Sequence, residues 1–195
     1  KTRVITAKLG RCLEVVAATT RGVACITYTN AAVHEIESRV RKMSGFARDA
    51  WALDISTIHS FCLNNIFRRH SHMLPFFKGG FTLIAQDSEE FESLVEETRQ
   101  AFGKKSASRD ADEFSQLRYS SAGKAVGPPV TGGSINLEEA HHFWELMHSR
   151  RQVDFASLLY YSLNLCQTHP EICDHLASRF AWILVDEFQD TTDLQ

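Results

Sequence analysis

Short apolar runs, each followed by apolar residues at helical spacing, occur twice in the first third of the chain. Val23–Tyr28 is a β-prone run. The apolar positions after it recur at the interval of one helical turn and are Val33, Ile36, Val40 and Met43. Leu53–Ser56 begins a second pair, whose helix is predicted to run to about Arg69. The repeated order of strand, loop and helix predicts an α/β unit.

A continuous apolar run near the end of the chain, Ala181–Val185, stops abruptly at Asp186 and Glu187. Strands that are buried on both faces of a parallel sheet have this pattern. The two acids therefore lie at the carboxyl end of a predicted strand. Ligands of open α/β sheets bind at that edge, so the position favours a functional site over a solvated surface pair.

The middle of the chain has a different pattern. Phe81–Ile84 is a short candidate strand, and Ser88–Phe102 is predicted to be a helix. Asn136 is a candidate N-cap for a helix that runs through His148. Asp154 is a candidate N-cap for a further helix that runs to about Gln167.

Residues 103–134 are rich in glycine, serine, lysine and proline, and Pro128 and Pro129 are adjacent. This composition predicts a mobile loop at about 103–135. The region from about Arg69 to Gln152 is therefore interpreted as a mostly helical insertion in an α/β domain.

Length and composition are those of a folded protein with one or two structural units. The chain has 195 residues, of which 44% are hydrophobic and 23% charged. The formal net charge is −3, so any contact with nucleic acid must be local. Two basic clusters exist, Arg39–Lys42 and Arg68–Arg69, although such clusters are more often solvated helix faces.

The cysteines indicate a reducing compartment, because the five are scattered without a CxxC pair. Cys166, His169, Cys173 and His175 form an alternative candidate metal site. Their spacing matches no zinc pattern, and Pro170 interrupts the run, so no metal is expected there. No apolar stretch approaches the ~18–20 residues that cross a bilayer, and no signal peptide is evident, so a soluble intracellular protein is expected.

Adjacent carboxylates at a strand edge suit hydrolysis of a magnesium-bound nucleotide. One carboxylate holds the Mg²⁺ shell while its neighbour orients and polarises the attacking water. A bare Asp-Glu pair is more often a solvated strand end. Here the chain continues as Asp186-Glu187-Phe188-Gln189-Asp190-Thr191, which resembles motif II, DEFQDTN, of UvrD/Rep-type superfamily 1 DNA helicases.

Other motifs of that family follow in the same order along the chain. Ile26–Ala32, with Glu35 beyond, resembles motif Ia, TFTNKAAxEM, and Ser56–Cys62 resembles motif Ib, TFHSFC. Asp154–Leu159 resembles the DFDDLL segment that precedes motif II. Motifs Ia, Ib and II together are highly specific, and the resemblance covers the whole chain.

The first residues, Lys1-Thr2-Arg3-Val4, resemble the end of the family's P-loop, GxxxxGKT followed by RV. In a complete P-loop the lysine contacts the β and γ phosphates and the threonine hydroxyl binds Mg²⁺. Glycine backbone N–H groups cradle the phosphates, and those glycines are not in this sequence. The resemblance therefore assigns Lys1, Thr2 and Arg3 to the binding of ATP and Mg²⁺.

The resemblance implies a RecA-like P-loop NTPase sheet with a helical insertion. Residues 1–68 and 153–195 are expected to form an incomplete motor domain, called 1A in this family. Residues 69–152 are expected to form the insertion subdomain 1B.

The implied function is ATP-driven 3′ to 5′ movement on single-stranded DNA and strand separation at junctions of single-stranded and double-stranded DNA. The implied processes are DNA repair, replication or recombination. Asp186 is expected to hold the Mg²⁺ shell with Thr2, and Glu187 to act as the catalytic base. The predicted DNA contacts lie in motifs Ia and Ib and are Tyr28, Thr29, Asn30, Thr57, His59 and Ser60.

An aromatic ring such as Tyr28 stacks on a base for about 1–3 kcal/mol, and hydroxyl and amide groups bind phosphates. Ala31 stands where motif Ia usually has lysine, which removes a possible phosphate contact. Alanine is frequent there in RecB/AddA-type enzymes, so that subfamily is not excluded.

Residues 1–195 alone are expected to be inactive, because the P-loop glycines and the second motor domain lie outside them. The expected location is the cytoplasm with the nucleoid, or the nucleus in a eukaryote, and no membrane contact is expected. Two other hypotheses stay open. One is a nucleic-acid-binding or docking module that has lost catalysis, and the other is an unrelated P-loop ATPase or kinase.

Overall fold

The computed structural model describes residues 2–43, 52–107 and 109–191, without the side chains of Thr2, Arg3 and Asp190. None of the helices in these ranges is long and apolar enough to span a membrane.

The described residues form ten α-helices, which are α1 (Thr2–Val16), α2 (Asn30–Arg41), α3 (Ile58–Phe61), α4 (Arg68–His70), α5 (Glu89–Ala101), α6 (Asp110–Phe114), α7 (Pro128–Thr131), α8 (Leu137–Ser149), α9 (Phe155–Thr168) and α10 (Pro170–Arg179). The strands in the same ranges are β1 (Gly22–Thr27), β2 (Leu53–Thr57), β3 (Thr82–Leu83), β4 (Arg118–Tyr119), β5 (Ala125–Val126), β6 (Gln152–Val153) and β7 (Phe180–Val185). A π-helical stretch, Cys62–Phe67, joins α3 to α4, and 3₁₀ turns occur at Ser71–Met73, Pro75–Phe77 and Phe188–Asp190.

The chain divides into two compact units. One, called the sheet unit, contains the described residues up to Asn65 together with those from Cys166 onward. The other, called the helical unit, is Ile66–Leu165. The borders predicted from the sequence lie near Arg69 and Gln152, and the assignment of the units to a motor domain and an insertion stays a prediction.

The sheet unit is built on three parallel strands in the order β2-β1-β7. The middle strand, β1, is buried along its whole length. Ile26 lies opposite Ser56 on one side and Val185 on the other, so the three strands end at the same edge. The predicted α/β class with a parallel sheet is confirmed.

One side of this sheet is covered by α1 and α2. Their apolar residues pack with β1 in a single cluster formed by Leu9, Cys12, Leu13, Val16, Val23, Cys25, Ile36 and Val40. Burial of one such aliphatic side chain stabilises the fold by about 1.5–3 kcal/mol. Gly22 begins β1 where a Cβ atom would lie 2.7 Å from the carbonyl oxygen of Ala52, so this position requires glycine.

The outer strand β7 is apolar but only partly buried. Among the described residues it pairs with β1 alone. Trp182 is 48% exposed, Ile183 45% and Val185 40%. Its sequence predicts burial on both faces, and the described residues bury only part of it.

Most of the predicted elements are confirmed, including the strands β1, β2 and β7. No element is predicted from the sequence for the segment that forms α10. Proline is favoured at the first position of a helix, where its missing N–H has no helical partner to lose, and Pro170 begins α10 there.

The structure contradicts the loop that the sequence predicts at about 103–135. That segment contains α6, the antiparallel pair β4 and β5, and α7. Phe114, Tyr119 and Ala125 are buried in it, and Gly123, Gly127 and Gly133 adopt the positive φ angles that close the turns between the elements. Glycine and proline therefore mark tight turns between short elements in this part of the helical unit.

Both predicted N-caps are confirmed in the helical unit. Asn136 accepts a hydrogen bond from the backbone N–H of Glu139, whose carboxylate accepts one from Asn136 N–H, so the two residues form a capping box. Asp154 accepts a hydrogen bond from the backbone N–H of Ser157 at 2.8 Å, at the start of α9.

A buried arginine organises the interior of the helical unit. Arg99, only 4% exposed, donates to Glu139 at 2.9 Å and to Asp110 at 3.0 Å. These bonds join α5 to α6 and α8. Glu113 also lies at 3.3 Å from Arg99, and the Phe114 ring centroid lies 5.1 Å from its guanidinium carbon.

Two of the acids around Arg99, Asp110 and Glu139, are held in their charged form. Burial raises the pKa of Asp110, but the Ala107 backbone N–H and Arg99 outweigh burial, and the pKa lies below its ordinary value. Burial also opposes ionisation of Glu139, and Lys104 and the Asn136 N–H outweigh it, so the pKa of Glu139 is lowered too. The low pKa of each carboxylate therefore depends on the groups that donate hydrogen bonds to it.

Replacement of the buried guanidinium should destabilise the helical unit strongly. Arg99→Met leaves two buried carboxylates without their shared partner, and we expect the free energy of unfolding to fall by about 3–5 kcal/mol. Urea denaturation followed by the fluorescence of Trp144, which is buried in this unit, measures the change.

Lys104→Met is the matched control, because Lys104 binds the same Glu139 but is 44% exposed. We expect it to cost less than about 1 kcal/mol. Equal losses in the two variants would contradict the structural role assigned to Arg99.

Candidate functional site

The loops that follow the three parallel strands lie at one edge of the sheet unit. Tyr28 and Thr29 follow β1, Ile58 begins the helix after β2, and Asp186 follows β7. The edge is therefore formed by the three segments that contain motif-like sequences. Ten of the eleven candidate site residues belong to these segments or to the start of α1.

Asp186 continues the pairing of the sheet beyond the last residue of β7. Its backbone N–H donates to the carbonyl oxygen of Ile26 at 2.8 Å. The carboxylate is neither fully buried nor fully exposed. This bond fixes the position of Asp186 relative to β1, at the point where the chain leaves the sheet.

Glu187 has an unusual backbone conformation. Its φ of 52° and ψ of 39° lie in the left-handed region, which few residues other than glycine, asparagine and aspartate adopt. A single 3₁₀ turn, Phe188–Asp190, begins directly after it. Gln189 Nε2 donates a hydrogen bond to Glu187 Oε2, so an amide from the same turn holds the carboxylate.

The negative charge of Asp186 also acts on the core beneath it. Burial and the charge of Asp186 together raise the pKa of the Cys25 thiol on β1 to about 12. Cys25 is completely buried. It therefore stays a protonated apolar side chain at neutral pH and takes no part in nucleophilic chemistry.

The turn from β1 into α2 presents an aromatic ring beside a helix cap. Tyr28 is 42% exposed, and Asn30 and Ala31 are also exposed. Thr29 is the N-cap of α2, and its hydroxyl accepts from the backbone N–H of Ala32 at 3.2 Å. The Tyr28 ring is accessible at this edge, while the Thr29 oxygen already has a local partner.

The turn from β2 into α3 is capped in the same way. Thr57 Oγ1 accepts from the backbone N–H of Ser60 at 3.2 Å and donates to Ser60 Oγ at 3.0 Å. His59 is partly exposed one position before Ser60. The two hydroxyls thus fix the backbone of the turn.

Sequence reasoning missed a polar network behind this turn. Asn65 Nδ2 donates to Asp54 Oδ2 at 3.0 Å, and Ser56 Oγ donates to Asp54 Oδ1 at 2.8 Å. Arg179 Nη1 donates to the buried Asn65 Oδ1. The available signal was a buried asparagine in an otherwise apolar helical pattern, since such a residue needs partners.

The first helix begins at the same edge as the strand ends. Only residues 17–21 connect α1 to β1, and the two elements pack together, so they run in opposite directions. The N-terminus of a helix favours anions such as phosphate. Lys1 and the side chains of Thr2 and Arg3 lie outside the described residues.

The donor set at the edge suits Mg²⁺ that is held together with a nucleotide. Such an ion is usually bound by one or two carboxylates plus phosphate oxygens. Asp186 supplies one carboxylate, and its neighbour Glu187 is held by Gln189. Among the described residues, no three His, Cys, Asp or Glu side chains form a group that could hold a metal ion by themselves.

Two of the residues considered as metal ligands lie in a thiol cluster of the sheet unit. Burial, with Cys173 and Cys62 nearby, raises the pKa of the Cys166 thiol to about 12. Cys173 Sγ donates to the carbonyl oxygen of Cys166 at 3.8 Å. This hydrogen bond joins the end of α9 to α10.

Comparison with known proteins gives one family and a set of curated relatives. Residues 1–195 match the family described as UvrD/REP helicase N-terminal domain. ATP-dependent DNA helicase PcrA of Staphylococcus epidermidis and of Staphylococcus aureus are both 27% identical to the chain over 207 positions. These alignments cover 100% of the chain and 27% of each relative, so the chain spans about a quarter of their length.

The cap of α3 provides a test of the geometry at this edge. Thr57→Ala removes the hydroxyl that binds Ser60. We therefore expect the free energy of unfolding of the sheet unit to fall by about 0.5–2 kcal/mol. Thr57→Ser keeps the acceptor and should retain most of the stability. Urea denaturation of both variants measures the difference, and equal stabilities would show that the hydroxyl does not cap the helix.

Proposed function

The chain belongs to the UvrD/REP helicase N-terminal domain family, and we propose that it forms the nucleotide-binding part of an ATP-dependent DNA helicase. The observation that carries this proposal is the convergence of three loops at one sheet edge. One loop presents adjacent acids, and the other two present an exposed ring and polar groups. This arrangement suits hydrolysis of a nucleotide beside a bound strand.

We propose that the sheet unit is the motor domain 1A and the helical unit the insertion 1B. In this assignment Lys1, Thr2 and Arg3 contact the phosphates of ATP. Thr2 and Asp186 hold the shell of Mg²⁺, which neutralises charge that develops on the phosphates when it is bound. The start of α1 at the carboxyl edge of the sheet supports the assignment.

Glu187 is proposed as the catalytic base. Its carboxylate accepts a proton from the water that attacks the γ-phosphate, and Gln189 orients it for that step. The left-handed backbone of Glu187 turns the chain directly after the strand. Strained backbone of this kind recurs at functional sites, where the surrounding structure maintains it.

The DNA track is proposed to run along motifs Ia and Ib. Tyr28 offers a face for base stacking, and Asn30 and His59 offer polar groups to phosphate. Thr29 and Thr57 are the N-caps of α2 and α3, so their side chains position the two turns, while the hydroxyl protons of Thr29 and Ser60 can donate to phosphate oxygens. Movement from 3′ to 5′ and action at junctions are proposed from the family.

Repair, replication and recombination are the proposed processes. We further propose that a polypeptide limited to residues 1–195 hydrolyses ATP slowly. By resemblance to the family, the glycine loop and the arginine finger of the second motor domain contribute to turnover. An arginine finger alone is worth about 10³-fold or more in rate.

The proposed base is tested by ATP hydrolysis of the full-length protein with and without single-stranded DNA. We expect strong stimulation by DNA and a loss of about 10²-fold or more in kcat for Glu187→Gln, because general-base catalysis contributes about that much. Glu14→Gln is the control, since Glu14 is an exposed acid on α1. Absence of turnover in the native protein would favour a docking module that has lost catalysis.

The DNA track is tested by restoring the motif Ia lysine. Ala31 is exposed at the start of α2, and Ala31→Lys should tighten binding of single-stranded DNA. Each added phosphate contact steepens the plot of log affinity against log salt by about 0.7. Ser38→Lys adds the same charge at an exposed position later in α2. Equal effects in both variants would argue against a strand at motif Ia.

A further inference from the structure

One segment of this acidic protein contains no acid. Residues 55–86 include no aspartate or glutamate, although the chain has a formal net charge of −3. The same segment contains Arg68, Arg69 and Lys78, and also His70 and His72. Most of it lies in the helical unit, where it begins the chain's course through that unit.

This segment forms an open cleft within the helical unit. The cleft has a volume of about 640 Å³, and its lining includes Arg68, Ser71, His72, Gly80, Phe81 and Thr82. Arg68, His72 and Thr82 are exposed, whereas Ser71 is buried. The cleft is therefore accessible to solvent and has positive charge at its rim.

Arg68 differs from other arginines of the helical unit. Arg99 is surrounded by acids, and Arg150 forms an ion pair with Glu97. Among the described residues, no carboxylate lies within ion-pair distance of Arg68. Its charge is thus available to an anion from outside the unit.

The cleft floor is fixed by local structure. Gly80 adopts a φ of 97°, which glycine accepts without strain. Arg151 Nη1 donates to the carbonyl oxygen of Gly79 at 3.1 Å and holds the turn. The Phe81 ring packs edge-on against Phe67, with centroids 4.7 Å apart. Arg68 and Thr82 therefore flank a shaped and supported opening.

The proposed DNA track of the sheet unit lacks this kind of charge. None of Tyr28, Thr29, Asn30, Thr57, His59 and Ser60 carries a fixed positive charge. The nearby Arg39 pairs with Glu35 at 2.6 Å. Affinity for nucleic acid depends largely on cations that neutralise phosphates, so a cationic contact in another part of the chain would strengthen binding.

We propose that the cleft of the helical unit binds a backbone phosphate of the nucleic-acid strand, with Arg68 as its principal contact. This inference rests on the proposed function. The Arg68 guanidinium offers a planar pair of donors that matches two phosphate oxygens. His72 and the Thr82 hydroxyl offer further donors at the rim. The contact is independent of sequence, because it reads only the sugar-phosphate backbone.

The experiment measures binding of fluorescent oligothymidylate to the full-length protein by anisotropy over a range of salt concentrations. We expect Arg68→Gln to weaken binding several-fold at low salt and to reduce the slope of log affinity against log salt by about 0.7. Arg68→Lys keeps the charge and should keep the slope. Arg68→Gln should weaken the binding of oligonucleotides of other sequences by the same factor.

Lys124→Gln is the matched control. Lys124 is an exposed cation of the same unit that does not line the cleft. A slope that changes equally in Arg68→Gln and Lys124→Gln would overturn the inference. So would an increase in the KM for ATP with an unchanged DNA slope, because the cleft would then bind nucleotide phosphate.

Failure of the proposed function gives a different result. In that case the native protein shows no salt-dependent affinity for oligothymidylate, and the variants cannot differ from it. A native protein that binds strongly, together with an Arg68→Gln variant that binds identically, leaves the helicase proposal intact and removes the cleft from the strand's path.

Discussion

Parallel pairing of β1 with β2 and β7 is the constraint on which the candidate site depends. The register places the ends of all three strands at one edge, and the bond from Asp186 N–H to Ile26 carries that register into the loop. A shift of one residue would turn every side chain of a strand to the opposite face. The packed side chains of Val23 and Cys25 prevent this, so the apolar core sets the geometry of the polar edge.

Charged side chains are distributed unevenly in this chain, and the net charge of −3 does not show this distribution. Arg99 gathers Asp110 and Glu139 in the interior of the helical unit, where its guanidinium offsets the charge of both carboxylates. Arg68 lies in a segment without acids and faces solvent instead. Arg99 thus has internal counter-charges, whereas none of the described carboxylates lies within ion-pair distance of Arg68.

Sequence patterns predicted those elements of the fold that are determined by residues close to one another in the sequence. The apolar run before Asp186 and the cap at Asn136 are examples, since each depends on neighbouring residues. The network of Arg99 could not be predicted, because its partners lie 11 and 40 residues away. The left-handed backbone of Glu187 was also hidden, since glutamate has no preference for it. The motifs identified the candidate site, whereas the cleft at Arg68 required the folded structure.

The exposed edge strand β7 affects how the chain behaves in solution. Trp182, Ile183 and Val185 are partly exposed on the two faces of this strand, and its outer edge pairs with no other strand among the described residues. An uncovered strand of this kind is a template for edge-to-edge association between molecules. A polypeptide limited to these residues will therefore tend to oligomerise or precipitate as its concentration rises, and solubility will govern how it is prepared and stored.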